Sequence, residues 1–392
     1  MSAKPTSLPG QLFAILSSYG LAITVLSFLL LDTFLGTISQ KDIGLLDSQR
    51  IYFDSWWLIQ DVNIGGTLIP LPLPGGGLLM VILFFNMLCG AVIRMRKGWR
   101  TIGNLISHLA IMFMLAAGFV SYFYKTEGAM PLFEGQASDQ YQSYHERTLE
   151  VHRYDAAGKG DDKALVIPMK HFADLDPGKA RTFFAKDLPF EIQVTGYQRN
   201  ANIVQAEEGE KTAIDGYRIQ PVKNAKEDEA NVSAVEITVK PKDGAEQKAI
   251  LWERAQEPFT VKVGDISYAI SLSRMKWKLP FAIRLNDFVR ELHPGTMKAK
   301  KFTSHVTKIS SDGKEEPKVV TMNVPVRDQG YVVYQASFSE GSSGEQSVFT
   351  VVTNPSDQWP LWSCVAVAIG LIITFLGHLV RFLKRPLKTK TA

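Results

Sequence analysis

Four long apolar stretches without Asp, Glu, Lys or Arg constrain this chain of 392 residues more than any other feature. They are Leu12–Leu31, roughly Gly77–Ile93, Thr101–Tyr124 and roughly Trp359–Val380. At a helical rise of about 1.5 Å per residue, a run of about 20 apolar residues crosses the hydrocarbon core of a bilayer. Each stretch therefore predicts a transmembrane helix. Between the third and the fourth lies Lys125–Asp357, a polar region of about 230 residues, enough for one or two packed domains.

Charge, once divided among these segments, predicts an orientation. Lys4, Arg94, Arg96, Lys97, Arg100, Arg381, Lys384, Arg385, Lys388 and Lys390 occupy the chain ends and the short loop between the second and third helices, with no Asp or Glu among them. The segment from Asp32 to Gly76 has two bases and five acids, and Lys125–Asp357 has 31 bases against 34 acids. The positive-inside rule then puts both termini and the Arg94–Arg100 loop in the cytoplasm and the large region outside. The net charge of +4 reports this asymmetry and gives no reason to expect nucleic-acid binding. The parts expected inside are too short for a kinase or ATPase module. The first helix, followed by DTFLGTISQ and no small-residue cleavage pattern, reads as a retained anchor, and no Arg- and Ser-rich transit segment precedes it. A bacterial inner membrane is the expected location.

The two cysteines, Cys89 and Cys364, fall at opposite depths of their helices, so a disulfide between them is not expected. There is no CxxCH for covalent haem and no CxxC for thiol exchange.

The large region reads as β. Period-two alternation marks Thr148–Tyr154, Phe190–Tyr197, Val235–Lys240, Phe259–Gly264, Val319–Val326, Tyr331–Phe338 and Ser347–Pro355. Turn signals at Asp176-Pro177-Gly178, Asp243-Gly244 and Asp312-Gly313 separate these runs. The expected fold class is four transmembrane helices with a large sandwich- or barrel-like β domain between helices three and four. The boundaries are residues 1–124 for the three-helix region, 125–357 for the β domain, and 358–392 for the last helix and basic tail. The Glu-, Lys- and Ala-rich stretch Gln205–Ala230 reads as an exposed excursion. Tyr331–Phe338, with its strong alternation, is expected to offer an open strand edge to a partner. Tyr52, Phe53, Trp56 and Trp57, beside Asp54 and Asp61, predict a short interfacial amphipathic helix, and the Pro- and Gly-rich IGGTLIPLPLPGGG turns the chain back.

His108 is the candidate site residue. A titratable ring at membrane depth costs free energy unless a partner or ligand satisfies it. Counted from Arg100, it lies roughly 12 Å into the membrane. Asn104, one turn back, and the neighbouring Ser107 could hold the ring. Two readings are open on the residues alone: a ligand to haem iron, since imidazole is a common axial ligand, or a hydrogen-bonded packing contact. His378, beside Arg381 and Lys384, is the competing candidate and reads as interfacial. His145, His152, His171, His293 and His305 lie in the β region without metal-ligand spacing.

In its order of elements the chain resembles the ResB family of cytochrome c biogenesis proteins, the B subunit of the system II haem–cytochrome c synthetase. Leu35–Thr37, Ser55-Trp56-Trp57, then Asn86, Cys89 and Arg94, and His108 ahead of Gly118 carry the resemblance in the membrane part. LPFAIRLNDFVRELHPGT (Leu279–Thr296), Asn323-Val324-Pro325, Gly330-Tyr331, Tyr334–Ser337 and Asn354-Pro355 carry it beyond. Gln205–Glu257 is the part least like the family. The resemblance implies that His108 is an axial ligand to haem iron, with haem b bound transiently alongside a partner subunit. It implies as partners a CcsA/ResC-type haem-handling membrane subunit, an apocytochrome c with CxxCH, and a thiol-reducing thioredoxin-like protein. The Trp-rich haem-handling motif of that partner is absent here, and Trp56-Trp57 is not it. The chain is thus expected to supply part of a holocytochrome c synthase site, in haem transport and apocytochrome docking. A cofactor-free, membrane-anchored assembly factor or chaperone is the alternative.

Overall fold

A computed structural model describes residues 7–155, 158, 160, 164–176, 178–207, 213–242, 244–297, 299–341 and 344–384. Lys4, Pro177, Asp243, the middle of Gln205–Ala230 and the tail bases Arg385, Lys388 and Lys390 lie outside the described residues. The chain divides into two compact units, one of Met1–Lys125 with Thr353–Ala392 and one of Thr126–Val352.

Among the described residues the first unit holds four helices long and apolar enough to cross a membrane: Tyr19–Ile43, Gly76–Ile93, Ile102–Tyr124 and Trp359–Leu383. The first span is not Leu12–Leu31. A short helix α1 (Leu8–Leu16) ends before Ser17-Ser18, and α2 (Tyr19–Ile43) starts afresh with the Ser18 hydroxyl accepting from the Leu21 amide at 3.1 Å. Hydropathy alone does not register this cap. The break frees carbonyls that lipid cannot satisfy, and side chains supply the donors. Asn86 Nδ2 donates to the Leu16 and Ser18 carbonyls at 2.7 and 3.0 Å, and Arg94 Nη1 donates to that of Ser17 at 3.2 Å.

After α2 comes α3 (Leu45–Tyr52), with Gly36 of α2 pressed against the Tyr52 and Phe53 rings. The expected amphipathic helix through Trp56 and Trp57 is instead a β-hairpin of β1 (Trp57–Ile64) and β2 (Thr67–Pro74). Gly65-Gly66, with φ of 61° and 90°, makes the tight turn that glycine alone adopts freely. Pro70, Pro72 and Pro74 alternate along β2 and lack amide hydrogens, which suits a strand with an open side. Then follow α4 (Gly76–Met87), continued by a π-helical turn at Leu88–Ile93, α5 (Ile102–Tyr124) and, at the end of the chain, α6 (Trp359–Leu383).

Strands make up most of the second unit. In chain order they begin with β3 (Thr126–Phe133), β4 (Ala137–Tyr154), β5 (Leu165–Pro168), β6 (Ala180–Phe183), β7 (Phe190–Gln198) and β8 (Ala201–Gln205). Next come β9 (Tyr217–Pro221), β10 (Ala234–Pro241), β11 (Gln247–Trp252), β12 (Phe259–Val263) and β13 (Ile266–Leu292). The last are β14 (Ala299–Ser310), β15 (Glu315–Thr321), β16 (Val326–Asp328), β17 (Tyr331–Gly341) and β18 (Gly344–Thr353). They build two lobes on a shared pair, the 18-residue β4 and the 27-residue β13.

One lobe is a sandwich. The sheet β11-β10-β7-β6 packs Ile192, Val194, Ile237 and Leu251 against Leu149, Val151, Ile270 and Leu272 of the shared pair. The other is barrel-like. The order β15-β14-β13-β4-β3-β18-β17-β16 curls until β15 lies against β17, enclosing Met130, Leu132, Phe281, Ile283, Val306, Val333, Phe349 and Val351. Gln335 is buried across this seam, its Oε1 accepting from the hydroxyls of Ser304 on β14 and Ser347 on β18.

Several details depart from the alternation pattern. Val319–Val326 is two strands, because residues 322–325 turn and the Val324 amide donates to the Thr321 hydroxyl at 3.1 Å. Tyr331–Phe338 is no open edge at its start, since β17 lies between β18 and β16, which pairs with Tyr331–Val333, and Val332, Val333 and Gln335 are buried. The excursion Gln205–Ala230 is exposed in part only. Its distal end turns inward, and Asp228 is almost completely buried.

Candidate functional site

The positions of the sequence-predicted site follow from how α5 meets α6. A Cβ on Gly103 would stand 2.4 Å from the Gly370 carbonyl oxygen, and one on Gly370 would stand 2.6 Å from that of Gly103. Only glycine permits backbones this close. Gly103 and Ser107 on α5, with Gly370 and Thr374 on α6, form paired small-xxx-small patterns, the usual device for packing helices in lipid. At the other end the Ser356 hydroxyl donates to the Ala117 carbonyl at 2.8 Å, Asn354 Nδ2 donates to the Ser121 hydroxyl at 3.2 Å, and Phe113 stacks on Trp359 with centroids 5.0 Å apart. The two helices are antiparallel.

His108 sits one residue beyond this seam, half-buried. Its Nδ1 is 2.7 Å from the Asn104 carbonyl oxygen, and the Asn104 side-chain oxygen accepts from the Thr374 hydroxyl at 3.0 Å. The ring is therefore tied back to its own helix at a residue that α6 grips. A neutral imidazole whose Nδ1 donates keeps its lone pair on Nε2, the atom that ligates a metal. Nε2 has no hydrogen-bond partner among the described residues. Ser107, expected to share in holding the ring, does not: its hydroxyl donates to the Val367 carbonyl at 3.4 Å, on the face turned to α6.

This geometry fits haem in one specific respect. Among the described residues no three or more His, Cys, Asp or Glu side chains gather as metal ligands. A single imidazole suits a metal that brings its own equatorial ligands, as haem iron does, better than a bare ion.

The other candidates separate cleanly. His378 lies exposed on α6, Cys364 is exposed and Cys89 buried, both thiols free. Trp56 and Trp57 are exposed at the base of the β1–β2 hairpin. His152 Nε2 is 3.4 Å from Glu150, and His293 and His305 are exposed. His171 lines an apolar concavity of about 310 Å³ beneath β5 and β6 and, among the described residues, is the only titratable group in that lining. The glycine seam is legible as G-x-x-x-S and G-x-x-x-T, a pattern that hydropathy and charge leave unweighed.

The four apolar helices and the large β unit define the class, a membrane protein with an extensive β domain. Within that β unit, residues 256–349 match the ResB-like family, the family that the sequence resembles, and the match implies a role in cytochrome c biogenesis. The matched stretch runs from just before β12 into β18 and so covers much of the barrel-like lobe. No curated protein matches the chain.

Proposed function

We propose that this chain is a haem-carrying membrane subunit of a cytochrome c maturation complex, with His108 as one axial ligand to haem in transit. The observation that carries the reading is the tethered His108 ring, whose Nε2 is left open on a membrane helix of a chain with a ResB-like segment. Haem is the cargo, and its iron supplies the coordination chemistry. The chain's own residues position that ring: Asn104 holds Nδ1, Thr374 holds Asn104, and Gly103 and Gly370 let α6 come close enough to do so. The second axial position falls to a CcsA/ResC-type partner, and the clients are apocytochromes with CxxCH, kept reduced by a thioredoxin-like protein. Basic residues on the Arg94–Arg100 loop and at the end of α6 support a cytoplasmic location for those ends, with the β unit outside a bacterial inner membrane. The antiparallel α5–α6 pair is consistent with that sidedness.

The test is His108→Ala in cells carrying the partner subunit and a reporter cytochrome c. Maturation should be lost while the protein remains inserted, and added imidazole should restore part of it. His378→Ala should mature the reporter normally. Full maturation by His108→Ala would reduce His108 to a packing residue and favour the cofactor-free assembly factor.

A further inference from the structure

The β unit contains a second imidazole prepared in the same sense as His108. Where β4 pairs with β13, Arg147 faces Arg274 and Gln142 faces Lys276, so Ser143, Tyr144, His145 and Glu146 together oppose the single residue Met275. This is a wide bulge, and bulges re-aim side chains out of the pleat. The Ser143 hydroxyl holds it open by accepting from the His145 and Glu146 amides at 3.2 and 2.9 Å. Arg147, 1% exposed, donates from Nη1 to the His145 carbonyl at 3.1 Å and pins the backbone there.

The bulge turns the His145 ring onto Asp228, with Nδ1 2.6 Å from Oδ2. Asp228 is 3% exposed and immobilised from its other side by Arg199 and by Asn231 Nδ2 at 2.9 Å. A buried carboxylate behind Nδ1 fixes the orientation of an imidazole and strengthens Nε2 as a donor to metal, as in carboxylate–histidine–metal triads. His145 itself is 36% exposed, and its Nε2 has no partner among the described residues. Tyr144, next to it, is fastened to Thr350 at 2.6 Å, close to the end of the unit.

The geometry points to His145 as a ligand that the β unit offers to a metal centre whose other positions are already filled, a metalloporphyrin. Among the described residues His145 and Asp228 belong to no group of three or more ligating side chains, so a bare divalent ion lacks the three or four donors that it needs. The identity of the centre as haem rests on the function proposed above, and the bulge and the buried Asp228 carry the rest.

The test titrates hemin into the purified full chain in detergent, reading affinity and absorption spectrum. In a His108→Ala background, His145 should still bind hemin with an imidazole-type spectrum. His108→Ala/His145→Gln should lose that spectrum and at least tenfold in affinity. Glutamine can still donate to Asp228, and an unchanged near-ultraviolet circular dichroism confirms the fold. His108→Ala/His145→Met should shift the spectrum to that of a thioether ligand, which a merely structural histidine would not do. Zn²⁺ alone should bind equally weakly whether or not His145→Gln is present. Overturning outcomes are a hemin spectrum that His145→Gln leaves unchanged in the His108→Ala background, or tight Zn²⁺ binding that His145→Gln abolishes. The two proposals fail separately. Normal maturation by His108→Ala with spectral loss on adding His145→Gln removes the membrane site alone, and the converse pair removes the site on β4.

Discussion

The α5–α6 seam and the bulged waist of the β4–β13 pair each tie down a histidine by its Nδ1, and they do so with opposite materials. The helix seam works by omission. Gly103 and Gly370 remove side chains so that carbonyls and hydroxyls meet directly, and no charged side chain takes part in the close contacts. The waist works by accumulation. Arg147 donates to Glu253 at 3.2 Å, Arg274 donates to the same carboxylate at 2.6 Å, and Asp228 gathers His145, Arg199 and Asn231. Lipid favours the first solution, because an unpaired charge there has no water to retreat to. A β unit with a polar surface can accept the second, provided that every charge is answered.

The difference is open to attack from either side. The largest effect is expected from Arg147→Ala, which leaves Glu253 and Asp228 short of a buried cation. Removing one partner of a buried pair costs about 3–5 kcal/mol, so urea unfolding of the chain in detergent, followed by near-ultraviolet circular dichroism, should shift accordingly. A loss below about 1 kcal/mol would mean that the waist holds without its charges.

Gly370→Val comes next. Its Cβ alone would lie 2.4 Å from the Ser107 hydroxyl and 2.6 Å from the Gly103 carbonyl oxygen. Overpacking of this sort costs about 1–3 kcal/mol, and thermal unfolding in detergent should register it. His108 should lose its hold through Thr374 and Asn104 in the same variant, so hemin affinity should fall with it.

Protonation offers a gentler probe of the waist. Burial disfavours charge on Asp228, but the bonds from His145, Arg199 and Asn231 outweigh it and hold the carboxyl well below the usual range. At Glu253 burial is likewise outweighed, there by Arg147 and Arg274. Both folded-state values are depressed, so their contribution is present above the unfolded carboxylate range of about 4 and is lost as pH falls below it. Unfolding midpoints measured from pH 7 down to 3 should drop over the lower part of that range, and Arg147→Ala should flatten the drop. Gly103, Ser107, Gly370 and Thr374 do not titrate, so the helix seam should contribute none of it.

The smallest effect belongs to an ion pair that resembles the waist only on paper. Arg181 donates to Asp174 at 2.8 Å, but both side chains are largely exposed. Arg181→Ala should leave the unfolding midpoint unmoved, and a clear shift would show that exposure is a poor guide to which pairs matter.

What could be read from the residues divides along the same line. The spans were legible because a charge-free run reports lipid directly, whatever it packs against. The cap at Ser18 was not, since a serine inside an apolar run looks tolerable until its carbonyl neighbours need Asn86 and Arg94. The β1–β2 hairpin was in view as Gly65-Gly66 between apolar runs, but Pro70, Pro72 and Pro74 argue locally for breakers. β13 escaped as one strand because Pro280 and two shifts of register interrupt its period. The waist was out of reach for a different reason. Arg147, Asp228, Glu253 and Arg274 are scattered over the chain, and nothing local in any of them announces the others. His108 could be singled out by its apolar surroundings; His145, among polar neighbours, could not.

The place of β3 in the large sheet sets a delay during synthesis. Its neighbours are β4, made immediately after it, and β18, whose first residue emerges about 210 residues later than the end of β3. At about 5–20 residues per second, one side of β3 waits roughly 10–40 s for its permanent partner. For that interval Met130 and Leu132 have no barrel to close over them, and a row of backbone donors and acceptors stands open to any extended chain nearby. A ribosome pausing between β4 and β18 would lengthen that exposure.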